Sequence, residues 1–242
     1  GASVKRHAKS SNRRSGVCGM LKKCFSILGR QQHGEICKMT ATNYTMVTVA
    51  SCEPSFLNQA LKHTGALAEE LKASAGAIIT RYGVLATGEH AGSMILMQGY
   101  SELNGIDAAF GVYNKSADYQ ALIGSGKVNV TLRNILKVEP LELENQSTDV
   151  PAYGVLTRWG SADSMVDRMR GMVHLFEDNG AMFMRYWTIM TGSHAGRRLL
   201  AVGYPSMDAI EKTYNALRGS DDYNSMVSDI DIDFRNIVRI AG

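Results

Sequence analysis

The hexapeptide TGEHAG at residues 87–92 returns as TGSHAG at residues 191–196, in a chain of 242 residues. At the same offset Gly76-Ala77 matches Gly180-Ala181, Arg81-Tyr82 matches Arg185-Tyr186, and Gly99-Tyr100 matches Gly203-Tyr204. Ser116 with Asp118-Tyr119 matches Ser220 with Asp222-Tyr223, and after a slip of two residues RNILKV (133–138) pairs with RNIVRI (235–240). A duplication on this scale constrains the fold more than any single motif, because whatever one unit does with its chain, its copy does again. We read two copies, over residues 44–140 and 152–242, joined by a linker over 141–151.

The order of elements inside each copy follows from hydrophobic spacing. TMVTVAS is a short β-branched run and reads as a strand. A helix starts near Pro54, which suits a first turn because it needs no N–H there. Leu57, Leu61, Leu67 and Leu71 give it an apolar stripe, and it stops at ASAG. AIITRYGVLATG and GSMILMQGYS form a hairpin around the TGEHAG turn. A second helix is expected over about 102–123, with Leu103, Ile106, Phe110 and Tyr113 on one side, and RNILKV is the last strand. In the second copy the helices are expected to start near Ser161 and Ser206, both good caps. The order βαββαβ is the split βαβ, or ferredoxin-like, unit with strand order 4-1-3-2. Right-handed crossovers place both helices on one face of the sheet and leave the other face bare. The expected fold class is therefore α+β: two ferredoxin-like repeats packed sheet to sheet as a fused α+β barrel.

SADYQALIGSGKVNVTLRNILKV and SDDYNSMVSDIDIDFRNIVRI, with the Ser-x-Asp-Tyr start of the late helix running into the last strand, resemble the dimeric α+β barrel superfamily. Its members include antibiotic-biosynthesis monooxygenase-like, EthD-like and stress-responsive barrel domains. The resemblance covers most of residues 44–242. It implies the architecture and says little of activity, since such folds carry unrelated chemistries.

Charge separates the ends of the chain. Residues 1–38 hold nine Lys or Arg and one acid, Glu35, while the remainder is mildly acidic although the whole chain is +3. We expect residues 1–43 to be a basic, disordered extension. Four readings fit it: an anion-binding arm, a transit-peptide-like leader, a fusion scar, or translated sequence upstream of a start at Met39; a solvated, non-functional tail is favoured. The repeats offer no basic face, so no nucleic acid is expected for the folded part. No apolar run is long enough for a membrane span. Cys18, Cys24 and Cys37 lie in the basic segment and Cys52 alone in the repeats, with neither a disulfide framework nor zinc spacing, so the folded part reads as cytoplasmic.

Candidate site residues come in duplicate. His90 and His194, each between glycines, are candidates for a general base or a metal ligand, or else are carried along with a turn. Arg81 and Arg185 stand mid-strand among apolar neighbours, where a guanidinium must pair, snorkel or meet an anion. Arg185 shares a strand face with Phe183 and Trp187, and Arg81 with Ile79 and Gly83. Tyr82 and Tyr186 sit beside the arginines; aromatics at such matched positions most often pack a core or a seam. Asn134 and Asn236 open the last strands and read as ligand-orienting groups or, the favoured reading, strand-start caps, and Asp229, Asp231 and Asp233 read as a solvated strand face. No metal site and no cofactor motif is present. The expected function is binding of a small organic molecule in the cavity between the sheets, with cofactor-independent oxygenation or proton transfer as the chemistry it could carry. The alternative is a non-catalytic barrel that binds a ligand or self-associates as a homo-oligomer.

Overall fold

A computed structural model describes residues 41–242, and the expectations placed on the basic segment before them lie outside the described residues. The first half runs β1 (Tyr44–Cys52), α1 (Leu57–Ala75), β2 (Ile79–Leu85), β3 (Met94–Tyr100), α2 (Leu103–Lys115), α3 (Ala117–Gly124) and β4 (Val128–Val138). The second runs β5 (Tyr153–Gly160), α4 (Val166–Arg170), α5 (Val173–Glu177), β6 (Phe183–Ile189), β7 (Arg198–Tyr204), α6 (Met207–Arg218), α7 (Asp221–Ser228) and β8 (Asp231–Ile240). The expected α+β architecture is present, and the two sheets close on each other as one antiparallel barrel in the order β1-β3-β2-β8-β5-β7-β6-β4.

Local chemistry sets the element ends. A single 3-10 turn over Pro54–Phe56 feeds α1, which stops where Gly76 turns left-handed at φ 69°. The late helix of each half is two helices and not one. Ser116 takes an extended conformation, and its Oγ accepts the Tyr119 N–H at 3.1 Å; Ser220 does the same for Tyr223 at 3.3 Å. The Ser-x-Asp-Tyr motif is thus a helix cap. Ser206 caps α6 as expected, accepting from Ala209. Ser161 caps nothing: its hydroxyl turns to the Asp163 carbonyl, and Met165 enters a left-handed conformation at φ 58° before α4 begins. The last strands begin five and four residues before the shared Arg-Asn-Ile, so Asn134 and Asn236 lie mid-strand.

Alternation along each strand sorts side chains into three cores. Inside the barrel lie Val47, Leu85, Ile95, Leu136, Trp187 and Ile189 among others. Beneath the helices of the first half lie Met46, Leu67, Leu71 and Leu96, and beneath those of the second Val155, Met184, Tyr186 and Val202. The edge strands of each half join the other half, Gly83 facing Ile240 on one seam and Val138 facing Trp187 on the other. Among the described residues no sheet edge remains open, which removes the usual hazard of an unpaired strand.

The repeated hexapeptide is the clasp on these seams. Thr87 Oγ1 accepts the N–H of Ile237 at 2.9 Å, and the Ala86 N–H donates to the Ile237 carbonyl at 2.7 Å. Thr191 and Met190 make the same pair of bonds to Ile135, at 2.9 and 2.8 Å. Gly88 and Gly192 have φ of 81° and 85° and lie so close to Asn236 and Asn134 that a Cβ on either would collide with the amide. With its amide turned to donate, Asn134 bonds the carbonyls of Arg133 at 3.1 Å and Thr191 at 3.2 Å. Each asparagine is therefore a buried seat for the other half's turn.

Candidate functional site

The interior of the barrel is packed at its middle and open at one end. The open end forms a cleft with about 740 Å³ of empty space, its mouth included. Its wall is almost wholly apolar, with Ile79, Ile95, Met97, Leu156, Phe183 and Ile240 among the contributors. Arg81 and Arg185 bring the two guanidiniums to it, one from each half. The pseudo-twofold relation of β2 to β6 places them at equivalent heights, since Arg81 faces Met97 on β3 and Arg185 faces Ala201 on β7.

The two arginines differ in what neutralises them. Arg185 meets Glu142 of the linker at 3.4 Å and lies over the Phe183 ring at 5.6 Å. Arg81 has no carboxylate within ion-pair distance among the described residues, and one of its nitrogens donates to the carbonyl of Thr80 at 2.9 Å. Burial pulls both guanidiniums below their ordinary pKa, and Glu142 partly restores that of Arg185. Both remain charged at neutral pH. Trp187 lies inside the barrel, 3% exposed, with its indole N–H donating to Thr45 Oγ1 at 2.9 Å. Its counterpart is Gly83, where a Cβ would collide with the Arg239 carbonyl. The cleft is accordingly lopsided: Phe183 and Trp187 line it from the second half, where the first half has Ile79 and Gly83 at the matching positions. Of the described methionines only Met97 lines it; Met94 and Met184 belong to the cores beneath the helices, and Met190 is exposed.

The remaining candidates lie elsewhere. Tyr82 touches the rim, but its hydroxyl lies against Gly65 of α1 and Gly242. Tyr186 faces the helix side, donates to the Ser164 carbonyl and stacks on Trp159 at 5.4 Å; burial drives its phenol pKa upward. His90 is exposed beside Glu89 at 3.2 Å, and His194 sits by Arg158, Asp233 and Arg197. Neither histidine lines the cleft. The acidic strand face is not simply solvated: Asp233 pairs with Arg158 at 3.0 Å, and Asp231 with Arg197 at 2.9 Å. Among the described residues no group of His, Cys, Asp and Glu is arranged to hold a metal ion. No helix among them is long and apolar enough to cross a membrane.

One duplicated constellation has no obvious sequence signal beyond the repeat itself. Arg133 Nε donates to Thr48 at 3.2 Å, and the guanidinium reaches the Tyr119 hydroxyl and lies over Tyr113. Arg235 repeats this with Thr157, Tyr223 and Tyr214. Each set sits in a crevice between helices and sheet.

A family model, Domain of unknown function (DUF6854), matches the chain twice, over residues 42–138 and 151–240. The chain belongs to that family and carries its domain in tandem. No curated protein matches its sequence. Several solved structures share the fold. A proposed monooxygenase from Fusobacterium nucleatum superposes with a TM-score of 0.58 at 10% identity, covering 84% of this chain and 94% of its own. A proposed monooxygenase from Lactobacillus acidophilus gives 0.55 at 9%, covering 83% and 94%. A chlorite dismutase variant from Candidatus Nitrospira defluvii gives 0.57 at 8%, covering 86% and 96%. At such identities the likeness is one of fold.

Proposed function

We propose that this protein binds a small organic anion at the open end of the barrel, held between Arg81 and Arg185. One observation carries the reading: Arg81 is a half-buried cation on an apolar wall with no carboxylate partner among the described residues. A charge placed so is costly unless an anion completes it. A carboxylate between the guanidiniums with an aromatic or conjugated body against Phe183 and Trp187 meets every feature of the wall. We also infer kinship with the dimeric α+β barrel superfamily, whose members share this closed pairing of ferredoxin-like sheets.

Among the described residues the lining holds no carboxylate and no imidazole. It can bind an anion and stabilise developing negative charge, but it has no evident group to take a proton. The non-catalytic, ligand-binding reading is therefore preferred. Proton transfer would need a base that this lining lacks among the described residues; oxygenation by molecular oxygen would need a substrate that arrives already ionised, with the arginines stabilising its enolate.

The test is titration of the full chain with 4-nitrobenzoate, read by quenching of Trp187 in a Trp159→Phe background. Arg81→Ala and Arg185→Ala should each weaken binding about ten-fold or more, which at about 1.4 kcal/mol is ordinary for a charge-assisted hydrogen bond. Binding unchanged in both variants overturns the assignment.

A further inference from the structure

The crevice beneath the helices of the second half has diverged from its twin in three ways, all on its own walls. Thr48 and Thr157 match through their arginine partners, and both strands carry a bulge just after them, so Trp159 stands where the first half has Ala50. The long first helix, 19 residues as α1, is broken into α4 and α5. The break is entered through Met165 at φ 58°, a conformation that a long side chain holds only when its surroundings impose it. The crevice, lined by Met169, Met172, Phe176 and Met226, has about 550 Å³ of empty space with its mouth included, close to the 480 Å³ of its twin, so it is the lining and not the size that sets it apart.

Trp159 is the telling group. It lines this crevice, it is 2% exposed, and its indole N–H has no hydrogen-bond partner among the described residues. Two other buried side-chain nitrogens among the described residues lack a partner there, Nε of Arg197 and of Arg198, but each of those guanidiniums bonds through its other nitrogens. Trp159 has a single donor and no alternative. At the mouth of the same crevice stands Arg235, an exposed guanidinium tied to Thr157 and Tyr223 and facing no carboxylate among the described residues. The Arg–Tyr–Tyr–Thr set recurs in both halves and so belongs to the architecture. The free indole donor and the broken helix belong to the second half alone, and Met169, Met172 and Met226 line its crevice where Met94 is the methionine of the twin.

We propose that this crevice is a second ligand site, distinct from the barrel cleft, for a small amphipathic carboxylate. Its carboxylate faces Arg235 at the mouth, its apolar body lies among the methionines, and an acceptor oxygen near its buried end takes the Trp159 N–H.

Two probes of near-identical shape test the three parts separately: 4-acetylbenzoate, which has an acceptor at the far end, and 4-isopropylbenzoate, which does not. The chain has two tryptophans, so two indole N–H resonances are expected in the nitrogen–proton spectrum of the full chain, assigned by Trp159→Phe and checked by Trp187→Phe. 4-Acetylbenzoate should move the Trp159 resonance downfield and bind about ten-fold more tightly than 4-isopropylbenzoate. Arg235→Gln should weaken both about ten-fold, while Arg81→Ala leaves the Trp159 response unchanged. The wild-type resonance reports without any variant, so a poorly folded Trp159→Phe does not spoil the test. If only the Trp187 resonance moves, or the Trp159 resonance moves with neither probe at millimolar concentration, the crevice is not this site and a buried water is the partner of the indole. Loss of the barrel site would instead appear as an unaltered Trp187 signal with the Trp159 response intact, so the two proposals fail separately.

Discussion

Thr191 Oγ1 accepts the backbone N–H of Ile135 at 2.9 Å, and by this bond the turn of one half grips the last strand of the other. Thr87 and Ile237 repeat it at 2.9 Å. A turn that looked like a candidate for chemistry is the device that closes the barrel, and closure is what gives the cleft its two arginines from two halves.

The clasp makes a graded prediction. Thr191→Val removes one hydrogen bond and should cost about 1 kcal/mol. Gly196→Ala meets open space and carries only the strain of φ 89°, about 1–2 kcal/mol. Gly192→Ala adds a collision with the Asn134 amide to similar strain, and should cost more than either, above about 2 kcal/mol. Urea unfolding of the three variants gives the order directly. Equal losses for both glycines would show that the Asn134 seat yields without cost.

A single half should not be a sound monomer. Residues 41–145 alone would expose the β2 edge that pairs β8, the β4 edge that pairs β6, and the apolar inner face with Val47, Leu85 and Leu136. We expect a dimer that rebuilds the barrel, or an insoluble product. Size-exclusion chromatography with light scattering decides it; a monomer that melts cooperatively would contradict the account of the seams.

What the sequence carried was the part of the fold that hydrophobic spacing and duplication encode. The βαββαβ order, the 4-1-3-2 strand order and the shared strand face of Phe183, Arg185 and Trp187 follow from alternation. The late-helix break at Ser116 was hidden because Ala117–Gly124 continues the helical character of Leu103–Lys115, and only the extended backbone of the serine separates them. The role of Asn134 was hidden because its partner turn lies more than fifty residues away, and no local pattern reports such a contact. The linker acid Glu142 beside Arg185 and the Arg133 and Arg235 clusters are likewise products of tertiary packing. The broken helix after Ser161 misled because a good capping residue is present but uses its hydroxyl on Asp163.

Gly83 tests the lopsided cleft from the other side. Its Cβ position is filled by the Arg239 carbonyl across the β2–β8 seam, whereas Trp187 at the matching position has room inside the barrel. Gly83→Ala should therefore push the seam apart and cost about 2 kcal/mol or more, the scale of overpacking. Thermal melts check the stability, and amide exchange at Leu85 and Val238 should quicken locally. A variant as stable as the parent would mean that the seam is more pliant than its geometry implies.

His194 offers a pH dependence whose sign follows from its neighbours. Its pKa is lowered from 6.5, first by burial and then by Arg158 and Arg197, with Asp233 working in the opposite direction. The folded state therefore takes up this proton less readily than the unfolded one. Above about pH 6.5 both states hold it neutral and it contributes nothing; as the pH falls below 6.5 the unfolded state binds the proton first, and stability declines. The side chain is largely solvated, so the decline should be small and blunted by salt. Asp233→Asn removes the one neighbour that favours the charged ring and should lower the pKa further, shifting the decline with it. Proton NMR titration of the six histidines, with His194→Gln for assignment, measures both shifts. A His194 pKa at or above 6.5 in the parent would show that Asp233, and not burial with the two arginines, governs the ring.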